Sequence, residues 1–170
     1  MRVLLVPAGL LVFCGSALQA QGTPATPATP PTPAAPAAPA AQAAPLKWGP
    51  APAVFPAGAN MAVVSGDPSK PGLFSIRLSM PDGYRILPHF HPTDEAVEVT
   101  AGTFLFGMGD AFDAAKMQTM TVGQKGALPA NAHHYAQAKG ATVVAVTGMG
   151  PFAMTYVNPA DDPRKPVGKP

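Results

Sequence analysis

The sequence predicts an all-β domain, a barrel or a sandwich, over residues 57–158. Two observations predict it. Seven short apolar or alternating runs follow one another, at 61–65, 73–80, 95–100, 103–108, 117–122, 142–148 and 152–157. The breaks among them, including GDPSKPG, MPDG and GMGD, carry the Gly, Pro and Asp of tight turns. Many short strands at this spacing form barrels or sandwiches. One stretch, 111–116, reads as a turn of helix.

Two segments of different character precede the strands. Residues 1–20 carry one positive charge, Arg2, then an apolar run over 3–13 and small residues near its end, the pattern of a secretory signal peptide. Cleavage is expected after Ala20, with Ala17 the alternative. A membrane anchor is disfavoured because the run falls short of the roughly 20 residues of a spanning helix, and Pro7 interrupts it. Lipidation at Cys14 is disfavoured because Phe13 is not the small residue such a site wants before its cysteine. Residues 21–45 have no charged side chain and are almost wholly Ala, Pro and Thr. Such a segment cannot bury a core and favours extended polyproline II, so a solvated, disordered linker is expected. It passes through a transition that ends at residue 56, where Trp48, the only tryptophan, is expected as a lid on the barrel end. The tail, 159–170, is polar and rich in proline.

Cys14 is the only cysteine, so the chain after residue 20 has none, and an exported domain of this kind draws its stability from its core. The remaining length suits one domain. Without Arg2 there are ten basic and nine acidic side chains, a net charge of +1. That balance points to neither nucleic acid nor an anionic membrane surface as partner. No integral span remains once the signal is removed. The eight methionines are scattered, which suits core filling rather than a thioether copper site. No Ser-His-Asp order, phosphate loop or pair of free carboxylates is present, which excludes hydrolase and kinase readings.

The chemistry concentrates in residues 83–102, GYRILPHFHPTDEAVEVTAG, which place His89, His91 and Glu95 within seven residues of a chain that has four histidines. Residues two apart on a strand share a face, so His89 and His91 can point the same way. Pro92 and Thr93 then allow a bend, and Glu95 returns at the start of the next extended run. Two neutral imidazoles and a carboxylate on one wall suit a divalent first-row metal. His133 and His134 form a second group about forty residues on. Adjacent residues of a strand face opposite ways, so one of that pair can join the site and the other cannot easily do so. Arg85 lies four residues before His89, on the same face if the strand is regular, where a guanidinium could pair with an anionic substrate. Glu98 is expected to face outward.

These segments resemble the cupin superfamily. Gly83, five residues, His89, one, His91, three, Glu95, six and Gly102 match the first cupin motif at every position. Gly123, five residues, Pro129 and His134 are similar to the second, G(X)5PXGXXH, with Asn131 where glycine is usual and Ala138 where asparagine is often found. Asn tolerates a left-handed backbone better than most residues, which makes the first departure mild. The resemblance covers roughly residues 61–157 and implies a single jelly-roll β-barrel with a metal inside, held by His89, His91, Glu95 and His134, with His133 the alternative fourth ligand. Tyr135, next to a ligand, would face away and be structural.

The resemblance leaves the metal open among Fe(II), Mn(II), Zn(II), Ni(II) and Cu(II), and the absence of a soft ligand favours Fe or Mn. It implies an exported metalloenzyme, dioxygenase-like or another oxidoreductase, lyase or isomerase, acting on a small oxygen-rich or aromatic molecule. A non-catalytic module that binds or senses a small ligand is the alternative, and a purely structural metal a third reading. Homodimers through an edge strand are common among the proteins it resembles.

Overall fold

A computed structural model describes residues 45–165. The expected signal peptide and nearly all of the expected linker lie outside the described residues. Nine strands make up the domain: β1 (Gly49–Pro50), β2 (Asn60–Ser65), β3 (Gly72–Met80), β4 (Arg85–Phe90), β5 (Glu95–Met108), β6 (Gln118–Thr121), β7 (Lys125–Leu128), β8 (His134–Gly150) and β9 (Thr155–Tyr156). Single 3-10 turns occur at Ala114–Lys116 and Pro159–Asp161. Among the described residues no helix is long and apolar enough to cross a membrane.

The sheet is built on two long strands. β5 and β8 pair antiparallel along their lengths, from Glu95 opposite Gly148 to Met108 opposite His134. The second edge of β8 takes β3 along its C-terminal half and β4 along its N-terminal half. The second edge of β5 takes β7 and then β6. β2 and β1 extend the sheet beyond β3, and β9 extends it beyond β4. Each long strand thus serves two sets of partners, and the sheet curls around one core, the jelly roll that the sequence predicted.

β3 shows the alternation that places this core. Phe74, Ile76, Leu78 and Met80 are buried, while Ser75, Arg77 and Ser79 between them are partly exposed. They pack with Val97, Val99, Phe104, Val144 and Val146 in one cluster.

Runs 95–100 and 103–108 are a single strand, and run 142–148 extends back to His134. Ala101 and Gly102, between the first two, form a bulge. Gly102 sits at φ +75, and a Cβ there would collide with the Ala141 carbonyl, so the ladder continues past it with a shifted register. Run 117–122 shortens to β6, and 152–157 shortens to β9.

The domain also begins earlier than residue 57. β1 pairs with Asn60 and Met61, and Val54 and Phe55 belong to the core cluster. The Tyr84 hydroxyl donates to the Pro56 carbonyl and the Tyr156 hydroxyl to the Val54 carbonyl, which fastens this loop to the sheet. Trp48 is not a buried lid: it remains 46% exposed beside Leu46, Val63 and Val64 on the β2 edge.

Candidate metal centre

The two histidine segments meet because β4 pairs with the start of β8, where His89 lies directly across from His134. The loop before β8 is tied to the first segment at two points. The Asn131 amide donates to the His91 carbonyl at 2.7 Å, and the Ala130 amide donates to the Asp94 carboxylate at 2.8 Å. Asn131 takes φ +62 to make this turn, and it is the single non-glycine residue with positive φ among those described. The departure from glycine in the second motif therefore preserves the backbone shape that glycine would supply.

The ligating atoms of His89, His91 and His134 lie within 4.8 Å of one another, and this group could hold a metal ion. All three residues are buried, at 3, 6 and 4% exposure. Glu95, on the inward face at the start of β5, places Oε2 3.5 Å from Nε2 of both His91 and His134. Donors about 2.1 Å from one ion are separated by about 3.0 Å in an octahedral set and about 3.4 Å in a tetrahedral one. The 3.5 Å spacing of Glu95 from His91 and His134 is close to that range.

Each imidazole is oriented by a backbone carbonyl at its Nδ1: Leu87 at 2.8 Å for His89, Ala153 at 2.8 Å for His91 and Ala132 at 2.9 Å for His134. A carbonyl only accepts, so each Nδ1 carries the proton and donates it. In the neutral ring Nε2 is then a bare lone pair. Burial, together with the neighbouring imidazoles, holds the His89 pKa well below its ordinary value. Burial lowers that of His134 to about 4, against the opposing pull of the Ala132 carbonyl. Burial raises the Glu95 carboxyl, which the nearby His91 partly offsets. In its ionised form the Glu95 carboxylate faces the Nε2 atoms of His91 and His134 acceptor to acceptor. A cation between them satisfies all three, so the donor set fits a metal by its own chemistry.

His133 does not join this set. Its Nδ1 pairs with the Asp110 carboxylate at 2.6 Å, and its ring stacks on Phe90. Arg85 also lies outside the cavity, contrary to the alternation argument. The β4–β8 register shifts between Ile86 and His89, at the Leu87–Pro88 step, so inward-facing positions pass from even to odd. Arg85 is exposed, donates to Gln137 at 3.1 Å and lies over the Phe112 ring at 4.9 Å. Glu98 faces outward and pairs with Lys125. Tyr135, fully buried on the face opposite His134, donates to the Asp113 carbonyl.

Sequence reasoning missed the aromatic frame of the site. Phe152 packs at 5.3 Å from the His91 ring and Phe106 at 6.0 Å from the His134 ring, while Phe55 stacks on Phe152. The signal for Phe106 was present in β5. Glu95, Val97 and Val99 face inward at odd numbers, and Phe104 and Phe106 at even numbers beyond the Gly102 bulge.

No protein-family model matches the chain, and no curated protein matches it. Solved structures do. A putative acetylacetone dioxygenase from Methylibium petroleiphilum is 24% identical, with 71% of this chain and 81% of that one covered at a TM-score of 0.53. The polyketide cyclase RemF from Streptomyces resistomycificus is 14% identical, with 62% and 75% covered at 0.52. An RmlC-like cupin from Shewanella frigidimarina is 16% identical, with 54% and 76% covered at 0.46. With its curled antiparallel sheet and the two histidine segments brought together at its centre, the chain shares the jelly-roll β fold of these structures.

Proposed function

We infer that the chain is an exported metalloprotein that holds one divalent transition metal through His89, His91, Glu95 and His134 and acts on a small molecule. The observation that carries this reading is the set of Nε2 lone pairs, each fixed by a carbonyl behind it, converging with the largely enclosed Glu95 carboxylate. The nitrogen and oxygen donors, with no thiolate or thioether among them, favour Fe(II) or Mn(II), with Zn(II), Ni(II) and Cu(II) within reach of the same chemistry. Such an ion, when bound, supplies Lewis acidity, and iron or manganese a redox couple as well.

The protein's own contribution is to hold the imidazoles neutral and oriented, to supply one negative charge at Glu95, and to keep water away with Phe106 and Phe152. This supports a dioxygenase-like oxidoreductase, a lyase or an isomerase. The fold likeness to a putative acetylacetone dioxygenase and to a polyketide cyclase is compatible with any of these but selects none. Export rests on the character of residues 1–20. A binding module without turnover is the second reading, favoured by a cavity that has no ionisable side chain outside the donor set.

Elemental analysis of the protein purified without added metal or chelator tests the metal centre. About one Fe or Mn per chain is expected, absent from a His91→Ala, His134→Ala double variant. Oxygen uptake with small phenols or diketones would then favour the enzyme, and metal-dependent ligand binding without turnover the module. A metal-free wild-type protein that gains no thermal stability from any of these ions would sink both.

A further inference from the structure

The cavity beside the four donors has walls of one kind. Apart from His89, His91, Glu95 and His134, every residue lining it is Phe, Ile, Leu, Val or Ala. No side-chain hydroxyl, amide, guanidinium or ammonium lines it; Thr93 and Asp94 line a smaller cavity on another side of His91 and Glu95, where Thr93 donates to the Met149 carbonyl and Asp94 accepts from the Ala130 amide. Arg85, on the strand that carries His89, is engaged outside by Gln137 and Phe112. The space is small, about 40 Å³ measured to water centres, which is room for about three waters. It adjoins a second apolar lobe of about 40 Å³ between β5 and the β6–β7 hairpin. The two share Val97, Phe104, Phe106 and Leu128, and Met120 and Gly126 extend the lobe.

Resting on the reading of the donors as a metal centre, the geometry points to a ligand class: a small molecule with one oxygen-bearing chelating head and an uncharged, apolar body. The head sits at the four donors, and the body lies along Phe106 and Leu128 toward Met120. A second charged or hydroxylated group on that body would leave water and find no partner in these walls. Each methylene or ring carbon gains from the same burial. One carboxylate against a divalent cation leaves a single positive charge, which one anionic oxygen of the head balances and a dianion does not.

Sugars, sugar phosphates and dicarboxylates are thereby disfavoured in this cavity, and the oxygen-rich half of the expected substrate range with them. Met120 is unbranched and adaptable, so the lobe sets how long a body fits. Gly126 offers a way to test this. A Cβ there would lie 3.6 Å from the Met120 methyl, an ordinary contact, and its backbone is not left-handed.

Hydroxamates provide a constant chelating head with a variable body. The full chain loaded with Mn(II) is titrated calorimetrically with acetohydroxamate, benzohydroxamate and the monohydroxamate of succinic acid. Benzohydroxamate is expected to bind at least about tenfold more tightly than acetohydroxamate, and the carboxylate-bearing probe at least about tenfold more weakly. Gly126→Leu, which fills the lobe, should bring benzohydroxamate down to the acetohydroxamate level with Mn(II) content unchanged. Met120→Ala, a second variant that adds no bulk, should increase the preference for 4-ethylbenzohydroxamate over benzohydroxamate severalfold. With Mn(II) retained, a succinate probe that binds as tightly as benzohydroxamate overturns the inference alone. Failure of both variants to shift the preference does the same. A wild-type chain that takes up none of Mn(II), Fe(II), Zn(II), Ni(II) and Cu(II) overturns the metal reading and the inference together.

Discussion

The imidazoles of the site depend on bonds they make away from it. Leu87, Ala153 and Ala132 each accept a proton from Nδ1, and without these carbonyls the rings would be free to rotate or change tautomer. Asn131 performs a similar service for the backbone, since its left-handed turn brings its amide to the His91 carbonyl. A β-branched residue is poorly suited to that conformation. Asn131→Val is therefore expected to cost about 1–2 kcal/mol, and Asn131→Gly little. Urea unfolding of the metal-free proteins measures both changes, and equal midpoints for all three chains would count against the need for a left-handed turn.

At the level of elements, the β5–β8 pair does the most positioning. Its bulge at Gly102 switches the inward parity of β5, which lets one strand contribute Glu95 at one end and Phe106 at the other. The loop before β2 matters for a different reason, since it brings Phe55 into the cavity wall and is pinned by two tyrosine hydroxyls. A chain beginning at residue 45 should fold as the full chain does. One beginning at residue 57 loses Val54, Phe55 and β1, and burial of a phenylalanine alone predicts a loss of at least about 3–5 kcal/mol. Thermal unfolding of the two truncated chains tests this, and matching midpoints would mean that the loop adds nothing to the core.

For the molecule as a whole, the site makes the metal-free barrel sensitive to pH. His89 and His134 have depressed folded pKa values, so below about 6.5 the unfolded chain takes up protons first and stability falls. For His134 the loss continues toward about 4 and is on the order of 3 kcal/mol. Glu95 acts in the opposite sense. Its raised folded pKa contributes stability that is present below its ordinary value and is lost as pH rises through the folded one. Where it is ionised it is a largely buried negative charge whose nearest neighbours are the imidazoles of His91 and His134. Glu95→Gln should therefore gain stability relative to wild type as pH rises without metal, and be less stable than wild type in Mn(II). Urea midpoints across pH without metal, and in Mn(II), decide it, and a metal-free difference from wild type that does not change with pH would refute the raised carboxyl pKa. The wild-type midpoint without metal should also decline between pH 7 and pH 5.

Much of this was legible in the linear order of residues. The all-β class follows from alternation and turn residues, which are local. The spacing of His89, His91 and Glu95 is local too, since a strand and a bend suffice to place three donors on one wall. Alternation allowed only one of His133 and His134 to join, the spacing of the motif the chain resembles favoured His134, and the structure places His134 with the other two rings. Alternation misled at Arg85, because a bulge at the Leu87–Pro88 step shifts parity between it and His89, and a bulge is set by the register of the partner strand. Trp48 misled for a related reason, as burial depends on what packs above a residue and not on its size. The sequence by itself determined the all-β class, most of the strands and the donor types. Tertiary pairing alone decided which carbonyls orient the rings, which phenylalanines line the cavity and that no charge other than Glu95 enters it. Those contacts join residues far apart in the chain, and no short-range pattern records them.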